Sequence, residues 1–438
     1  MNCLREKSLP GIHFARKYGW LNDPNGLVYH DGVYELYFQA NPDGIEWDDM
    51  TWGHARSRDL IHWEELDPVL YPDENGMMFS GCGLQNVRGD LKLPTNTLLF
   101  PYTAAHFDEN TGKPYFTIRL AYSTDGGDTL EKMDGTILTE LAEDNRDPKV
   151  FWHEESGAYI LVLWVKENDF GIFRSKDFKQ FELSQMITLD GGFECPDLFE
   201  LPVIDEDGNI SEKRWVFWAA DGMYVVGDFD GYCFRPVQNK KKAYFDTGIP
   251  YAAQTWSGDP HNRVIQIPWL RTKCIDRKTT GTMGIPRVLS LKMSEDGYVL
   301  RQPIADEIKN AVSGMKELKA GENYEIEEGA SIYITIEKLQ RLKVALFEEN
   351  GEKPFAELEY IPKTKIFMVS SGRVSEFINL GHGDTDNIEM IYDMGIIETT
   401  KDDVVLQITD FPQLRGIKCD HLRIEECEGI VKAGIIKA

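Results

Sequence analysis

Three carboxylates along the chain share one local wording. Asp23 stands in Trp20-Leu21-Asn22-Asp23-Pro24-Asn25-Gly26, Asp147 in Asn145-Arg146-Asp147-Pro148, and Glu194 in Phe193-Glu194-Cys195-Pro196. Each is followed within two residues by a proline, and each precedes a run of aromatic and β-branched residues. A single Asp-Pro is a turn or strand-start device. Its repetition says more, because equivalent positions on similar strand units come together when the units are arranged around an axis. Three acids gathered in one cleft suit general acid-base chemistry.

The elements that must position them read as β-strands. From about residue 15 to 300, short aromatic and β-branched runs are punctuated by Asp-Gly, Asn-Gly and Gly-Gly turns, with hardly any helical periodicity. Leu27-Val28-Tyr29 faces Val33 to Phe38 across His30-Asp31-Gly32, and Val150-Phe151-Trp152 faces Tyr159 to Trp164 across Glu155-Ser156-Gly157. Leu198 to Leu201 is followed, after a polar loop spanning 204–213, by Trp215-Val216-Phe217-Trp218. A Ser-x-Asp echo recurs after the hairpins at Ser57-Arg58-Asp59, Ser123-Thr124-Asp125 and Ser175-Lys176-Asp177. The long gap between Asp23 and Asp147 accommodates an additional unit opening at Phe79-Ser80-Gly81, and another opens at Gln254-Thr255-Trp256. Five openings, near residues 23, 80, 147, 194 and 255, predict an all-β fold whose first part is a five-bladed β-propeller over residues 1–303. Residues 304–319 read as a short helical linker, and 320–438 as a β-sandwich. The sandwich strands are expected at 331–336, 343–347, 404–408 and 421–424, with no catalytic constellation among them.

Composition narrows the partners. The 47 basic and 73 acidic residues of the 438-residue chain leave a net charge of −26, which repels nucleic acid and anionic membrane and favours a neutral ligand. The seven cysteines are odd in number and scattered, with no Cys-x-x-Cys pair and no zinc spacing with His. They read as free thiols in a reducing compartment. The first residues carry no apolar signal core and no stretch is long enough to span a bilayer, so a cytoplasmic protein is expected. No cofactor and no metal is expected.

Taken with Trp52-Gly53-His54-Ala55 leading to Asp59-Leu60-Ile61-His62-Trp63, Phe79-Ser80-Gly81, Gly227-Asp228-Phe229-Asp230-Gly231 and Gly284-Ile285-Pro286-Arg287, these motifs resemble glycoside hydrolase family 32. That is the family of invertases, levanases and inulinases, and the likeness runs through most of residues 12–303 in the family's order. The resemblance implies a retaining, exo-acting β-fructofuranosidase acting on sucrose, fructo-oligosaccharides or fructan fragments. It implies Asp23 as nucleophile, Glu194 as general acid/base and Asp147 as transition-state stabiliser. It also places Asn22, Gln39, Trp47, Phe79 and Ser80 at the fructosyl unit. Retaining chemistry itself asks for two carboxyl groups about 5 to 5.5 Å apart, one attacking and one shuttling a proton. Phe193 and Cys195 suggest an apolar setting that favours the acid form of Glu194, whereas the amides beside Asp23 suit an anion. Arg146 is expected to keep Asp147 charged and oriented.

His54, His62 and Trp63 read as packing residues, and Lys240-Lys241-Lys242 as a solvated loop. Leu21, Cys82 and Ala253 depart from the family's commoner wording, which puts the shape of the outer pocket in question. A transfructosylase, a sucrose-6-phosphate hydrolase and a non-catalytic fructan-binding propeller stay open as alternatives, as does association of copies through the sandwich.

Overall fold

The computed structural model describes the chain except residues 1–8, 139–140, 245–247, 274, 276–277, 328, 381–385 and 438. Cys3, Cys274 and the first eight residues therefore lie outside the described part. The fold is all-β, a β-propeller followed by a nearly closed, sandwich-like sheet.

Residues 19–301 form five antiparallel-rich sheets, four of them opening on Gly19–His30, Met77–Gly81, Arg146–His153 and Asp197–Ile204, and the fifth on Pro250–Thr255. Apolar side chains on the sheet faces pack between neighbouring sheets. Ile160, Val162 and Phe170 of the third meet Leu198, Phe217 and Val225 of the fourth in one buried cluster. The ring closes where Thr279–Thr280 pairs in parallel with Gly19 and Trp20 and where Ser257 bridges Val28. The Ser-x-Asp echoes have a physical basis. Each serine ends a third strand and its hydroxyl donates to the aspartate two residues on, Ser57 to Asp59 at 3.1 Å, Ser123 to Asp125 at 2.6 Å and Ser175 to Asp177 at 3.3 Å.

Local boundaries differ from the sequence reading in three places. The polar loop after Ile204 is shorter than expected, since Ile210–Trp218 pairs with Asp197–Ile204 and leaves a tight turn at 205–209. The helical linker is only Asp306–Asn310, because Ser313–Leu318 already pairs with the last strand, His421–Lys437. The segments 331–336 and 343–347 are halves of one long strand, Ala330–Phe347, broken by a register shift between Glu337 and Arg341. This strand anchors a ten-stranded sheet.

The two parts share a core in which Ile12, Phe14, Ile285 and Ile308 pack with Tyr333, Ile391 and Ile436. Beside it lies a buried ionic knot. His13 contacts Asp393 at 2.8 Å and Glu398 at 3.3 Å, and Arg287 of the Gly284-to-Arg287 motif donates to Glu398 at 2.5 Å. Backbone amides of Gly11, Ile12 and His13 donate to Asp393 as well.

Candidate active site

Strand geometry explains the Asp-Pro wording. In the first sheet the pairing register breaks between Leu21 and Pro24, flanking Asn22 and Asp23. In the second it breaks between Phe79 and Gly81, in the third between Arg146 and Lys149, and in the fifth between Tyr251 and Gln254. A bulge re-aims the side chains at the break, and proline, lacking an N–H, is tolerated in a sheet mainly at such points. Four of the five opening strands are thus kinked where they reach the axis, turning Asp23, Ser80 and Asp147 into one cavity.

That cavity, about 430 Å³, is lined by Trp20, Asn22, Asp23, Gln39, Trp47, Phe79, Ser80, Arg146, Asp147 and Glu194, among others. The three carboxylates, Arg146 and the five residues expected at the fructosyl unit therefore meet in one place. Asp23 Oδ2 accepts from Ser80 Oγ at 2.7 Å and Oδ1 from Asn22 Nδ2 at 3.2 Å, while Trp20 Nε1 donates to the Asn22 oxygen at 2.7 Å. Asp147 Oδ2 accepts from the Cys195 amide at 3.1 Å, and its own N–H donates to Thr103 Oγ1 at 3.0 Å. The Cys195 thiol lies between the aspartates, 3.6 Å from Asp23 Oδ2 and 3.5 Å from Asp147 Oδ2. Glu194 stands just before its strand and accepts from Arg146 Nη2 at 2.5 Å and Nε at 3.1 Å, and from Tyr251 OH at 2.6 Å. Gln39 Nε2 donates to the Met78 carbonyl at 2.8 Å, which fixes its amide beneath the pocket. The backbone is strained here, with positive φ at Asp147 (64°), Glu194 (52°) and Cys195 (38°).

Electrostatics revise two expectations. Arg146 does not orient Asp147 by a hydrogen bond, although its charge favours the ionised form of Asp147 as expected. Its guanidinium is committed to Glu194 and to the Asp144 carbonyl (2.7 Å), and it lies over the Trp164 ring at 4.0 Å. Nor do Phe193 and Cys195 sheathe Glu194, since Phe193 packs outward on Trp164 and the Cys195 sulfur faces the aspartates. Burial acts instead on the aspartates. It raises the Asp23 carboxyl, partly offset by the Ser80 hydrogen bond. It pushes Asp147 up to about 7, opposed by Arg146 and reinforced by the nearby charges of Glu194 and Asp23. Burial also raises the Cys195 thiol well above its ordinary range, so this sulfur is a neutral donor rather than a thiolate. Low in the funnel, Lys149 pairs with Asp197 at 3.1 Å and donates to Thr255 at 2.7 Å, tying the third, fourth and fifth sheets together.

The residues that depart from common family wording are not in the pocket. Leu21, Cys82 and Ala253 are buried in the cores between sheets, where Cys82 Sγ accepts from Val150 N–H at 3.1 Å. His54 is buried against Glu35 at 2.6 Å and Trp63 stacks on Trp256, while His62 sits outside on Asp59, so none of the three reaches the pocket. Lys240 pairs with Asp190, and Lys241–Lys242 is a short edge strand rather than a loop. Sequence reasoning missed Tyr251, Trp269, Asp144 and the aromatic pair Phe107 and Phe116 as lining residues. Trp20 stands inside the Trp20-to-Gly26 motif and Tyr251 two residues before Ala253, whereas Phe107 and Phe116 carry no such signal.

Residues 13–303 match the family described as Glycosyl hydrolases family 32 N-terminal domain. The chain belongs to this family. Among relatives, the chain is 36% identical over 324 residues to a levanase of Bacillus subtilis, covering 68% of this chain and 47% of that protein. It is 32% identical over 343 residues to the extracellular exo-inulinase of Aspergillus niger, covering 66% and 63% respectively. The chain thus spans from about half to under two thirds of the length of these curated relatives. In structure it resembles the exo-inulinase of Aspergillus awamori with a TM-score of 0.80, 25% identity and 98% of both chains covered. It shares its fold with the fructofuranosidase of Schwanniomyces occidentalis complexed with fructose, at a TM-score of 0.80, 22% identity and 99% of each chain covered.

Proposed function

We propose that this family 32 member is a retaining, exo-acting β-fructofuranosidase that removes terminal fructosyl units from sucrose, fructo-oligosaccharides or fructan fragments. The observation that carries the reading is the convergence of Asp23, Asp147 and Glu194 in one pocket walled by Trp20, Trp47, Phe79 and Trp269. In the proposed reaction Asp23 attacks the anomeric carbon while Glu194 gives a proton to the leaving oxygen, and Glu194 then takes a proton from the water that releases fructose. Tyr251 and Arg146 hold Glu194 from two sides, which fixes its direction of proton transfer. Asn22 and Ser80 orient the attacking Asp23, and Asp147 binds ring hydroxyls as positive charge grows on the sugar. Among the described lining residues Arg146 is the sole cation, and its engagement with Glu194 disfavours a phosphorylated substrate.

We read the five sheets as five blades, supported by the recurrence of an opening strand kinked or turned at the axis in each. We assign residues up to 303 to the catalytic unit and 320–438 to the sandwich unit, supported by the extent of the family match. A reducing, cytoplasmic setting is our further proposal, supported by unpaired Cys82, Cys195, Cys233, Cys419 and Cys427. The test is a product profile on sucrose, 1-kestose, inulin and levan, with the anomer first released followed by NMR. Early release of fructose with net retention is expected. Early di- or trisaccharides would exclude the exo mode, and an inverted first product would exclude the covalent step.

A further inference from the structure

The hairpin of Leu98–Phe107 and Pro114–Ser123 does two things along one face. Thr103, in its inner half, accepts the Asp147 N–H at 3.0 Å. Phe107 lies four residues further along the same strand, hence on the same face and about 13 Å outward at the usual rise per residue. Cross-strand pairing puts Phe116 opposite Ala105 and Pro114 opposite Phe107, so Pro114, Phe116 and Phe107 form one patch with small Ala105 making room for the Phe116 ring. The Phe116 N–H donates to the Glu143 carbonyl at 3.3 Å, bracing this patch against the segment that leads into Asp147.

The patch continues the pocket wall. Ring centroids run from Trp47 to Phe79 at 5.9 Å, Phe79 to Phe116 at 5.3 Å and Phe116 to Phe107 at 5.2 Å, an unbroken aromatic file along the pocket wall. Trp47 is 47% exposed and Phe107 40%, large apolar surfaces left open at a pocket mouth. All four rings line the cavity, and none belongs to a core cluster between sheets among the described residues. By that rise Phe107 lies on the outer part of the wall rather than beside the Asp147 backbone that Thr103 touches.

Resting on the fructofuranosidase reading above, we propose that Phe107 and Pro114, backed by the buried Phe116 ring, form a stacking platform for the leaving-group sugars, and that the chain therefore favours oligomeric β-fructosides over sucrose. Aromatic faces cover the apolar C–H faces of sugar rings, and a rigid wall holds them at little entropic cost. Sucrose presents a single sugar beyond the bond and reaches only the inner part of this wall. A tetrasaccharide such as nystose covers all of it.

The test compares wild type with Phe107→Ala and Phe107→Tyr on sucrose, 1-kestose and nystose. Wild type is expected to show kcat/KM rising with chain length. Loss of one aromatic face corresponds to about five- to tenfold. Phe107→Ala is therefore expected to lose about that much kcat/KM on nystose, mainly through KM, and at most about twofold on sucrose, with Phe107→Tyr restoring the nystose rate. An equal loss on all three substrates, or no loss on nystose, would overturn the platform while leaving the hydrolase intact. A wild-type protein inactive on every one of these sugars would overturn both readings together.

Discussion

Replacing Asp147 by asparagine separates what this carboxylate does for the reaction from what it costs the fold. The group is 3% exposed, and burial, opposed by Arg146 and reinforced by Glu194 and Asp23, carries its acid constant from 3.8 to about 7. The folded protein thus holds the proton more tightly than the unfolded chain. Stability from that proton is complete below about pH 4 and is lost as pH rises through about 7, where the buried group must ionise. A shift of this size amounts to about 2 to 4 kcal/mol once sharing of the proton among three coupled acids is allowed for. The amide of Asp147→Asn is neutral at every pH and its oxygen can still accept the Cys195 N–H that now reaches Oδ2 at 3.1 Å. Thermal unfolding at pH 4 and pH 8 should therefore show the variant melting a few degrees above wild type at pH 8, with the gap closing towards pH 4. On the same samples kcat should fall by about 10² to 10³ with KM little changed, since a contact to the charged transition state is lost. A variant that melts lower than wild type at pH 8, or a gap that ignores pH, would refute the electrostatic reasoning; a pure KM effect would refute the transition-state role.

Asp23→Asn and Glu194→Gln should each lower turnover by at least about 10² with the far-UV spectrum unchanged, and an amide retaining a tenth of wild-type kcat would overturn the role assigned to it. The ionic knot predicts alkaline weakening. Although burial alone would lower it, the hydrogen bonds it donates to Asp393 and Glu398 raise His13 from 6.5 to about 9, so its contribution is full below about pH 6.5 and lost as pH climbs through 9. His13→Gln should flatten that stretch of a stability-against-pH curve and lower stability by about 3 to 5 kcal/mol at neutral pH, and a curve of unchanged shape would discount the knot. Exhaustive dialysis against a chelator should leave the rate on sucrose unaltered, because all three acids are assigned to sugar chemistry; recovery of lost activity by calcium or zinc would reverse that assignment.

Much of this was legible in the chain itself. Alternating apolar runs between glycine turns mark strands because a strand buries every second side chain, and the openings at 23, 80, 147 and 255 fall within, and that at 194 just before, the first strands of separate sheets, although 255 ends its strand rather than beginning it. The gathering of Asp23, Asp147 and Glu194 followed from their equivalent positions. What escaped was what only the third dimension decides. The guanidinium of Arg146 could turn to its neighbour or across the pocket, and Glu194, brought alongside from the next sheet, took it. The apolar neighbours of Glu194 in sequence point away from it, so a local reading assigned burial to the wrong carboxyl. Phe107 and Phe116 sit nine residues apart on two strands and join the wall only through cross-strand register, for which the sequence offers no spacing rule.

The strained and kinked backbone at the axis explains why the same short wording recurs. An unbroken opening strand would point alternate side chains into the cores on either side of its sheet, with little to offer the funnel. The register breaks at Asn22-Asp23, Ser80 and Asp147-Pro148 free a side chain from that alternation and aim it inward. Proline follows the acid because a bulge is where a missing N–H costs least. At Asp147, Glu194 and Cys195 the chain also adopts left-handed φ without glycine, at a cost of about 1 to 2 kcal/mol each. Such conformations persist only when the surroundings over-determine them. Thr103 on the Asp147 amide, Asp147 on the Cys195 amide and Arg146 with Tyr251 on the Glu194 carboxylate supply that constraint. Rigidity at the axis is therefore drawn from several sheets at once, which holds the three carboxyl groups in place before any sugar arrives.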